Sequence, residues 1–268
     1  MKPFLHVVIP LLFIACKDKD ADKTPVESEP CQLISYVTDT TGSGAKMVIN
    51  YNKQNLISGT TYAYTGYFGD TTKLSSTISY YYNEEKPSAI SQSDNENVVR
   101  FEYDSEGHLS QKTWHEKKTI PRQRVHIEWA NGRIVRVKRS LFERTGNADD
   151  PKNYVERDYD HIELNMDAKG NLVTLKRFSN QNELISVNEY QYDNNPNPFQ
   201  KLYTIQGAFF DDQEHLLSTN NRTKVTMTYP VTGKIVVLDY TFNYNPNGYP
   251  KDGFYSNRRA LDMQYKCR

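Results

Sequence analysis

A short pattern of alternating apolar and polar residues recurs along the chain, and it is most complete between Phe101 and Leu109. Apolar and polar side chains alternate at its start, Asp104 follows, and Gly107 comes just before the return to apolar residues. Alternation with a period of two places successive side chains on opposite faces of a β-strand. An Asp side chain can accept a hydrogen bond from the backbone two residues on, and Gly tolerates the positive φ of a tight turn. The segment therefore predicts a β-hairpin.

Seven further segments follow the same scheme with substitutions, so that eight copies cover most of residues 31–268. They are Ile49–Leu56, Tyr80–Pro87, Ile127–Ile134, Leu164–Leu172, Tyr190–Asp193, Met227–Ile235 and Phe242–Tyr249. Two strands for each copy give about sixteen strands, joined in sequence order by local turns. No long window of the chain has a convincing helical period,. The pattern therefore predicts an all-β domain of consecutive antiparallel hairpins.

The amino-terminal residues predict export. A basic residue, Lys2, precedes a mostly apolar stretch from Phe4 to Ile14. This stretch is shorter than the about twenty residues that a membrane-spanning helix needs. The pattern is typical of a secretory signal, and the alternative is a short buried strand. Phe13-Ile14-Ala15-Cys16 is similar to the cleavage box of bacterial lipoproteins, in which the cysteine receives the lipid and becomes the first mature residue. We therefore expect a signal peptide over residues 1–15 and a lipid on Cys16.

Residues 16–30 are charged and poor in apolar side chains, which predicts a flexible tether before a single domain over residues 31–268,. Just after Cys16, Lys and Asp alternate from Lys17 to Lys23. This alternation resembles the export signals of surface lipoproteins in the Bacteroidota. The expected location is the outer membrane, with the acyl chains of Cys16 in its lipid and the domain exposed at the cell surface. The alternative is an anchored domain that faces the periplasm.

Two cysteines remain, Cys31 at the start of the predicted domain and Cys267 next to its end. In an oxidising compartment an even pair of cysteines usually forms a disulfide. Such a bond would bring the two Cα atoms within about 7 Å, so the first and last strands would be neighbours. The alternative is a pair of free thiols.

The eight copies of the pattern resemble the tyrosine–aspartate repeats of bacterial shell and wall proteins. Behind a lipoprotein signal, they are more similar still to uncharacterised Bacteroidota lipoproteins that have a domain of unknown function described as porin-like. The resemblance implies a large, strongly curved antiparallel sheet of consecutive hairpins, barrel-like or porin-like in shape. A membrane-spanning barrel needs strands of about 9–11 residues with apolar side chains facing lipid. Here the runs are short and the apolar face is rich in Tyr, so we expect a soluble domain with that face in its core.

Two short segments carry a further resemblance. Asp39-Thr40-Thr41 and Asp70-Thr71-Thr72 look like the O-glycosylation signal of exported Bacteroidota proteins. The resemblance implies a sugar on Thr40 or Thr71.

Composition and motifs exclude several classes of function. Lys plus Arg and Asp plus Glu both number 33, so the net charge of zero gives no argument for nucleic acid as a partner,. The mean hydropathy of -0.77 excludes a multi-span membrane protein. The chain has no nucleophile elbow, phosphate-binding loop, dinucleotide fingerprint or metal-type Cys/His cluster, so we expect no cofactor, no metal and no enzyme,. Glycoside hydrolysis stays an alternative if two carboxylates from Asp149-Asp150, Asp158-x-Asp160 or Asp211-Asp212 face one groove.

Charge and aromatic residues indicate where a ligand would bind. Residues 112–144 carry ten Lys or Arg and three Glu. Arg136 and Lys138 share one face of a predicted strand, and Trp114 lies in the register opposite to the apolar start of its own strand. A basic stripe beside an exposed ring could hold an acidic glycan. The alternative is a solvated face that acids of neighbouring hairpins neutralise.

From these observations we expect a non-catalytic lipoprotein of the cell surface that binds an extracellular ligand, with a glycan as the expected class. The first alternative is a structural or protein-partner module of the envelope. The second is a glycoside hydrolase.

Overall fold

The computed structural model describes residues 31–40, 43–64, 74–93, 96–202, 217–255, 258–260 and 262–267. Most of them form β-strands. The strands are β1 (Gln32–Thr40), β2 (Ser43–Tyr51), β3 (Ile57–Tyr64), β4 (Leu74–Asn83), β5 (Lys86–Gln92), β6 (Val98–Tyr103), β7 (Leu109–Glu116), β8 (Ile120–Ala130), β9 (Arg133–Arg144), β10 (Tyr154–Met166), β11 (Leu172–Ser179), β12 (Leu184–Pro196), β13 (Asn220–Tyr229), β14 (Lys234–Tyr244), β15 (Pro250–Tyr255), β16 (Arg258–Ala260) and β17 (Gln264–Lys266). A 3-10 helix spans Pro151–Asn153. Within these ranges no helix has both the length and the apolar character that crossing a membrane requires.

The strands form one antiparallel sheet that curves round until its two ends meet. From β1 to β16 each strand pairs with the next one along the chain. The sheet closes because β1 also pairs with β16 at Thr38–Ala260 and with β17 from Gln32–Lys266 to Ser35–Gln264. β16 and β17 pair with different parts of β1, so the two segments together occupy one strand position. The seventeen segments therefore make a barrel of sixteen strands. The predicted all-β, barrel-like sheet of about sixteen strands is confirmed.

The repeated turns lie at one end of the barrel. In an antiparallel ladder, the turns that follow even-numbered strands share one end, which we call the repeat rim. Seven of the eight sequence copies provide a turn after an even-numbered strand. The copy Met227–Ile235 instead joins β13 to β14, so its turn lies at the opposite end. Each of the other copies therefore adds two strands and returns the chain to the same end.

A ring of side-chain hydrogen bonds ties the hairpins together along the repeat rim. An aromatic side chain near the end of a strand donates to a backbone carbonyl near the start of a preceding strand, at distances from 2.7 to 2.9 Å. The donor and acceptor pairs are Tyr51 and Leu33, Tyr82 and Ile57, Tyr103 and Pro87, Trp129 and Leu109, Tyr192 and Leu172, and Tyr265 and Pro250. Met166 stands at the corresponding position of β10 and has no hydrogen to donate,. The repeated Tyr of the sequence pattern therefore joins consecutive hairpins.

The repeated acid or amide shapes the turn itself. Asp104 Oδ1 accepts hydrogen bonds from the backbone N–H of Glu106 and of His108, at 2.9 and 2.8 Å. The hydrogen bond from the His108 backbone is the main cause that lowers the pKa of the Asp104 carboxyl. Gly107 has a φ of 84°, which a side chain would make unfavourable,. Equivalent side-chain-to-backbone bonds occur at Asn52, Asp167 and Asn245.

Apolar side chains fill the inward face of the sheet in two clusters. The first draws on β1 to β6, and on Leu202 and Met263. The second draws on β8 to β13 and includes Val125, Val137 and Ile162, which are completely buried. Most of the residues that the strands turn inwards are β-branched, Leu or Tyr, which suits a pleated surface with one buried face.

Among the described residues, three ionisable side chains also lie inside the barrel. Arg139 and Asp160 form a buried ion pair, in which Arg139 Nε donates to Asp160 Oδ1 at 2.6 Å. Removing one partner of such a pair costs about 3–5 kcal/mol, because it leaves the other charge buried. Lys112 is fully buried, with Nζ 5.5 Å from the ring centroid of Phe101. Burial lowers the pKa of the Lys112 ammonium to about 7.

Candidate functional site

A cavity of about 520 Å³ opens at the repeat rim, between the turns that follow β2, β4, β6 and β8. Its wall contains five aromatic side chains, Tyr51, Tyr82, Phe101, Tyr103 and Trp129. Four of these are the donors of the rim hydrogen bonds, so their O–H or N–H groups are already engaged with backbone carbonyls. Burial raises the pKa of the Tyr51 hydroxyl to about 12. The cavity is therefore lined mainly by ring carbons and by aliphatic side chains such as Leu109 and Ile134.

Charged groups stand at the mouth of this cavity. Lys86 Nζ lies 5.3 Å from the ring centroid of Tyr103. The Lys86 side chain crosses Gly107 so closely that a Cβ there would come within 2.5 Å of Nζ. Lys201 and Glu85 also line the opening. Glu85, Lys86 and Tyr103 come from neighbouring hairpins, whereas Lys201 comes from the connection between β12 and β13, so only the tertiary structure brings Lys201 to this opening.

His108 forms one corner of the mouth and is held on two sides. Its ring stacks on Trp129, with centroids 4.8 Å apart and planes 16° from parallel. Its Nδ1 lies 3.5 Å from Asp104 Oδ2 and 3.5 Å from Glu106 Oε2. Both carboxylates belong to the turn that carries His108.

A second cavity of about 370 Å³ adjoins the first along the segment Asn197–Leu202. The two cavities share Tyr51, Gln200 and Lys201 among their lining residues. Gln200 Nε2 donates to the backbone carbonyl of Leu217 at 3.1 Å, which ties this segment to the start of the next described range. Lys201 therefore borders both cavities.

Trp114, predicted as an outward platform, lies on the inward face of the sheet. Tyr103 pairs with Leu109, but Glu102 pairs with Gln111, so Ser110 is an extra residue that forms a β-bulge,. A bulge reverses the alternation beyond it, and Trp114 therefore shares a face with the fully buried Lys112,. The expected register was wrong because the bulge is invisible in the alternation of a single strand.

Arg136 and Lys138 share one face of β9, which is the outward face, and acids of neighbouring strands pair with both. Arg136 Nη2 is 2.8 Å from Glu163 Oε1, and Lys138 Nζ is 2.9 Å from Glu128 Oε1. On the same face Arg124 pairs with Glu156. Neither Arg136, Lys138 nor Trp114 lines the rim cavity. The basic stripe is thus part of a network of ion pairs across the barrel wall.

The carboxylate pairs of the sequence do not meet in one groove in the described part of the chain. Asp160 is bound to Arg139 in the interior, Asp150 caps the 3-10 helix, and Asp149 lies 3.4 Å from Lys117. Asp211-Asp212 lies outside the described residues. Among the residues that are described, no three His, Cys, Asp or Glu side chains are grouped closely enough to hold a metal ion.

Cys31 and Cys267 are joined by a disulfide across the closing seam, with Cα atoms 4.1 Å apart. Asn247 Nδ2 approaches both sulfur atoms, at 3.6 and 3.3 Å. Cys16 and Thr71 lie outside the described residues, as does the side chain of Thr40.

The described strands thus form a closed antiparallel barrel of sixteen strands with apolar clusters inside, and comparison with solved structures shows that this fold is porin-like. No protein-family model matches the chain, and no curated protein matches it. A porin-like protein from Bacteroides uniformis matches it with a TM-score of 0.62 and 10% identity, over 89% of this chain and 99% of that chain. At this identity the match shows the fold alone.

Two further solved structures match over most of this chain. A porin-like protein from Bacteroides vulgatus has a TM-score of 0.47 and 10% identity, over 88% of this chain and 99% of that chain. A Tc holotoxin pore from Photorhabdus luminescens has a TM-score of 0.34 and 12% identity, over 80% of this chain and 9% of that chain. Both TM-scores are below 0.5, and neither match carries an argument about function.

The rim cavity was not predicted from the sequence, although the sequence contained a signal for it. The third position of the copies is repeatedly aromatic, at Tyr51, Tyr82, Tyr103 and Trp129. Turns that share one end of a closed sheet bring this position of neighbouring copies together at that end, and these four residues line the cavity there.

Proposed function

We propose that this protein is a non-catalytic binding protein of the bacterial envelope, which captures a small extracellular ligand with an apolar body in the rim cavity. The observation that carries the proposal is the aromatic cavity of about 520 Å³, whose size is typical of sites for small molecules,. The fold supports it, because a rigid closed sheet holds the lining side chains in place without a ligand.

The chemistry of the wall favours an apolar ring or chain over a glycan. Each buried hydroxyl of a sugar needs a hydrogen-bond partner, and an unpaired one costs about 1–3 kcal/mol. The donors of Tyr51, Tyr82, Tyr103 and Trp129 are already engaged with the backbone. An apolar ligand gains from the same wall without needing those donors.

The proposed setting is the outer membrane, with the domain held by acyl chains on Cys16 and exposed at the surface. The lipoprotein-like sequence before residue 31 supports this setting, as does a porin-like fold that also occurs in proteins from Bacteroides. A protein-partner role is the second candidate. Val231, Ile235 and Val237 favour it, because they are 86%, 63% and 47% exposed near one end of the barrel.

The test uses the oxidised full chain and the neutral apolar dye N-phenyl-1-naphthylamine, whose emission rises in an apolar site. We expect saturable binding to the native chain. Ile134→Trp should fill the cavity and weaken binding about tenfold or more, which is a loss of about 1.4 kcal/mol. Val135→Trp is the matched control, because Val135 follows on the same strand and points to solvent.

The outcomes separate the candidate functions. No saturable dye binding would overturn an apolar ligand in the cavity. Binding of an oligosaccharide panel without dye binding would restore a glycan, and turnover of such a sugar would support a hydrolase. If neither the dye nor the sugars bind, a protein-partner role is favoured, with the exposed residues Val231, Ile235 and Val237 as the candidate contact surface.

A further inference from the structure

We infer that the ligand of the rim cavity is an amphipathic carboxylate, with its apolar body against the aromatic wall and its carboxylate at the mouth beside Lys86 and Lys201. This inference rests on the proposed function, since it names the class of ligand for the same cavity. The two lysines line the opening, and the apolar wall lies behind them.

Lys86 is positioned by its surroundings. Its chain lies over Gly107, where even one added carbon would come within 2.5 Å of Nζ, and its ammonium faces the Tyr103 ring at 5.3 Å. The face of an aromatic ring attracts a cation electrostatically. The ammonium is therefore kept at the edge of the cavity, where it loses little further freedom when an anion binds.

Neither lysine is neutralised by an ion pair among the described residues. No carboxylate in those ranges lies within 4.0 Å of Lys86 Nζ or of Lys201 Nζ. This sets them apart from Arg136 and Lys138 on the outer wall, which are both paired. The two ammonium groups can therefore accept a carboxylate from solution without breaking a bond to the protein.

The acids at the mouth reduce this attraction. Glu85 lines the opening directly, so among the described residues of the lining two lysines stand against one carboxylate. Asp104 accepts backbone hydrogen bonds through one oxygen, and its other oxygen faces His108 together with Glu106. Attraction between partly exposed charges of this kind is worth up to about 1 kcal/mol, or about fivefold in affinity.

The experiment compares decanoate with decanol, which share an apolar chain and differ in charge. Each displaces N-phenyl-1-naphthylamine from the oxidised full chain, at concentrations below micelle formation. We expect decanoate to bind about twofold to fivefold more tightly than decanol in 50 mM NaCl, with a smaller ratio in 500 mM NaCl. A decanoate-to-decanol ratio of one would overturn the inference and leave the proposed function intact. Failure of the dye itself to bind would overturn the proposed function.

Three variants assign the preference to the mouth. Lys86→Gln should lower the decanoate-to-decanol ratio towards one, because it removes one of the two cations at the mouth. Glu85→Gln should raise the ratio, because it removes the opposing carboxylate. Lys176→Gln is the control, since this exposed lysine lies on β11 away from the cavity and should leave the ratio unchanged. An unchanged ratio in both Lys86→Gln and Glu85→Gln would contradict the inference. The two variants are expected to change the ratio in opposite directions, which a general loss of folding would not do.

Discussion

The disulfide between Cys31 and Cys267 closes the seam of the barrel, and replacing both cysteines by serine should destabilise the fold substantially. The bond spans a sequence separation of 236 residues, for which the loss of chain entropy in the unfolded state gives about 5.5 kcal/mol at 25 °C,. Removal of a native disulfide usually costs about 2–5 kcal/mol. Without the disulfide, few backbone hydrogen bonds would hold this part of the seam closed, because the β1–β17 ladder extends only from Gln32–Lys266 to Ser35–Gln264.

The assay is equilibrium unfolding in urea, followed by the fluorescence of the two tryptophans. Both proteins should carry Cys16→Ser, so that a third thiol cannot exchange with the bond. We expect the double variant to unfold at a lower urea concentration, and amide hydrogen exchange in β1 and β17 to speed up before that in β9 and β10. Non-reducing electrophoresis first establishes that the bond is present in the parent. An unchanged unfolding midpoint, or free thiols at Cys31 and Cys267 in the folded parent, would refute the reasoning.

Two further predictions concern the rim tyrosines. Tyr103→Phe leaves the Pro87 carbonyl without its donor and should lower the free energy of unfolding in urea by about 1 kcal/mol,. The control Tyr81→Phe, at an exposed position on β4, should change that free energy by less than about 0.5 kcal/mol,. Equal effects of the two variants would contradict a special role for the rim bonds. Burial raises the pKa of Tyr51 and of Tyr103 from 10 to about 12, so their contribution to stability is complete below pH 10 and is lost as the pH rises from 10 to 12,. The difference in unfolding free energy between the parent and the Tyr51→Phe/Tyr103→Phe variant should therefore shrink over that range, and a constant difference would argue against it; the opposite titration of buried Lys112 cancels in this comparison.

The strands and turns of this protein were predictable because their causes are local. Asp104 and Gly107 shape their turn through backbone atoms two to four residues away, and the alternation around Phe101 fixes which side chains share a face. The copy Met227–Ile235 shows the limit of this reasoning. Its Tyr and Gly match the other copies. Its turn nevertheless lies at the opposite end of the barrel, because it follows an odd-numbered strand, β13.

The candidate site was not predictable in the same way. Sequence reasoning selected Trp114, Arg136 and Lys138, but a bulge at Ser110 turns Trp114 inwards and neighbouring acids pair with the two cations. A bulge depends on how one strand aligns with its partner. An ion pair across strands depends on which residues the register brings together.

The sequence by itself determined the class of the fold, because alternation, turn residues and the repeated aromatic position act over a few residues and recur from one hairpin to the next. Only the tertiary structure decided that the sheet closes, that Tyr51 and Trp129 meet around one cavity, and that Lys86 stands at its mouth. These residues are far apart along the chain. They are brought together by the curvature of the sheet over many strands and by the register in which β1 pairs with β16 and β17. Neither property can be read from any single segment.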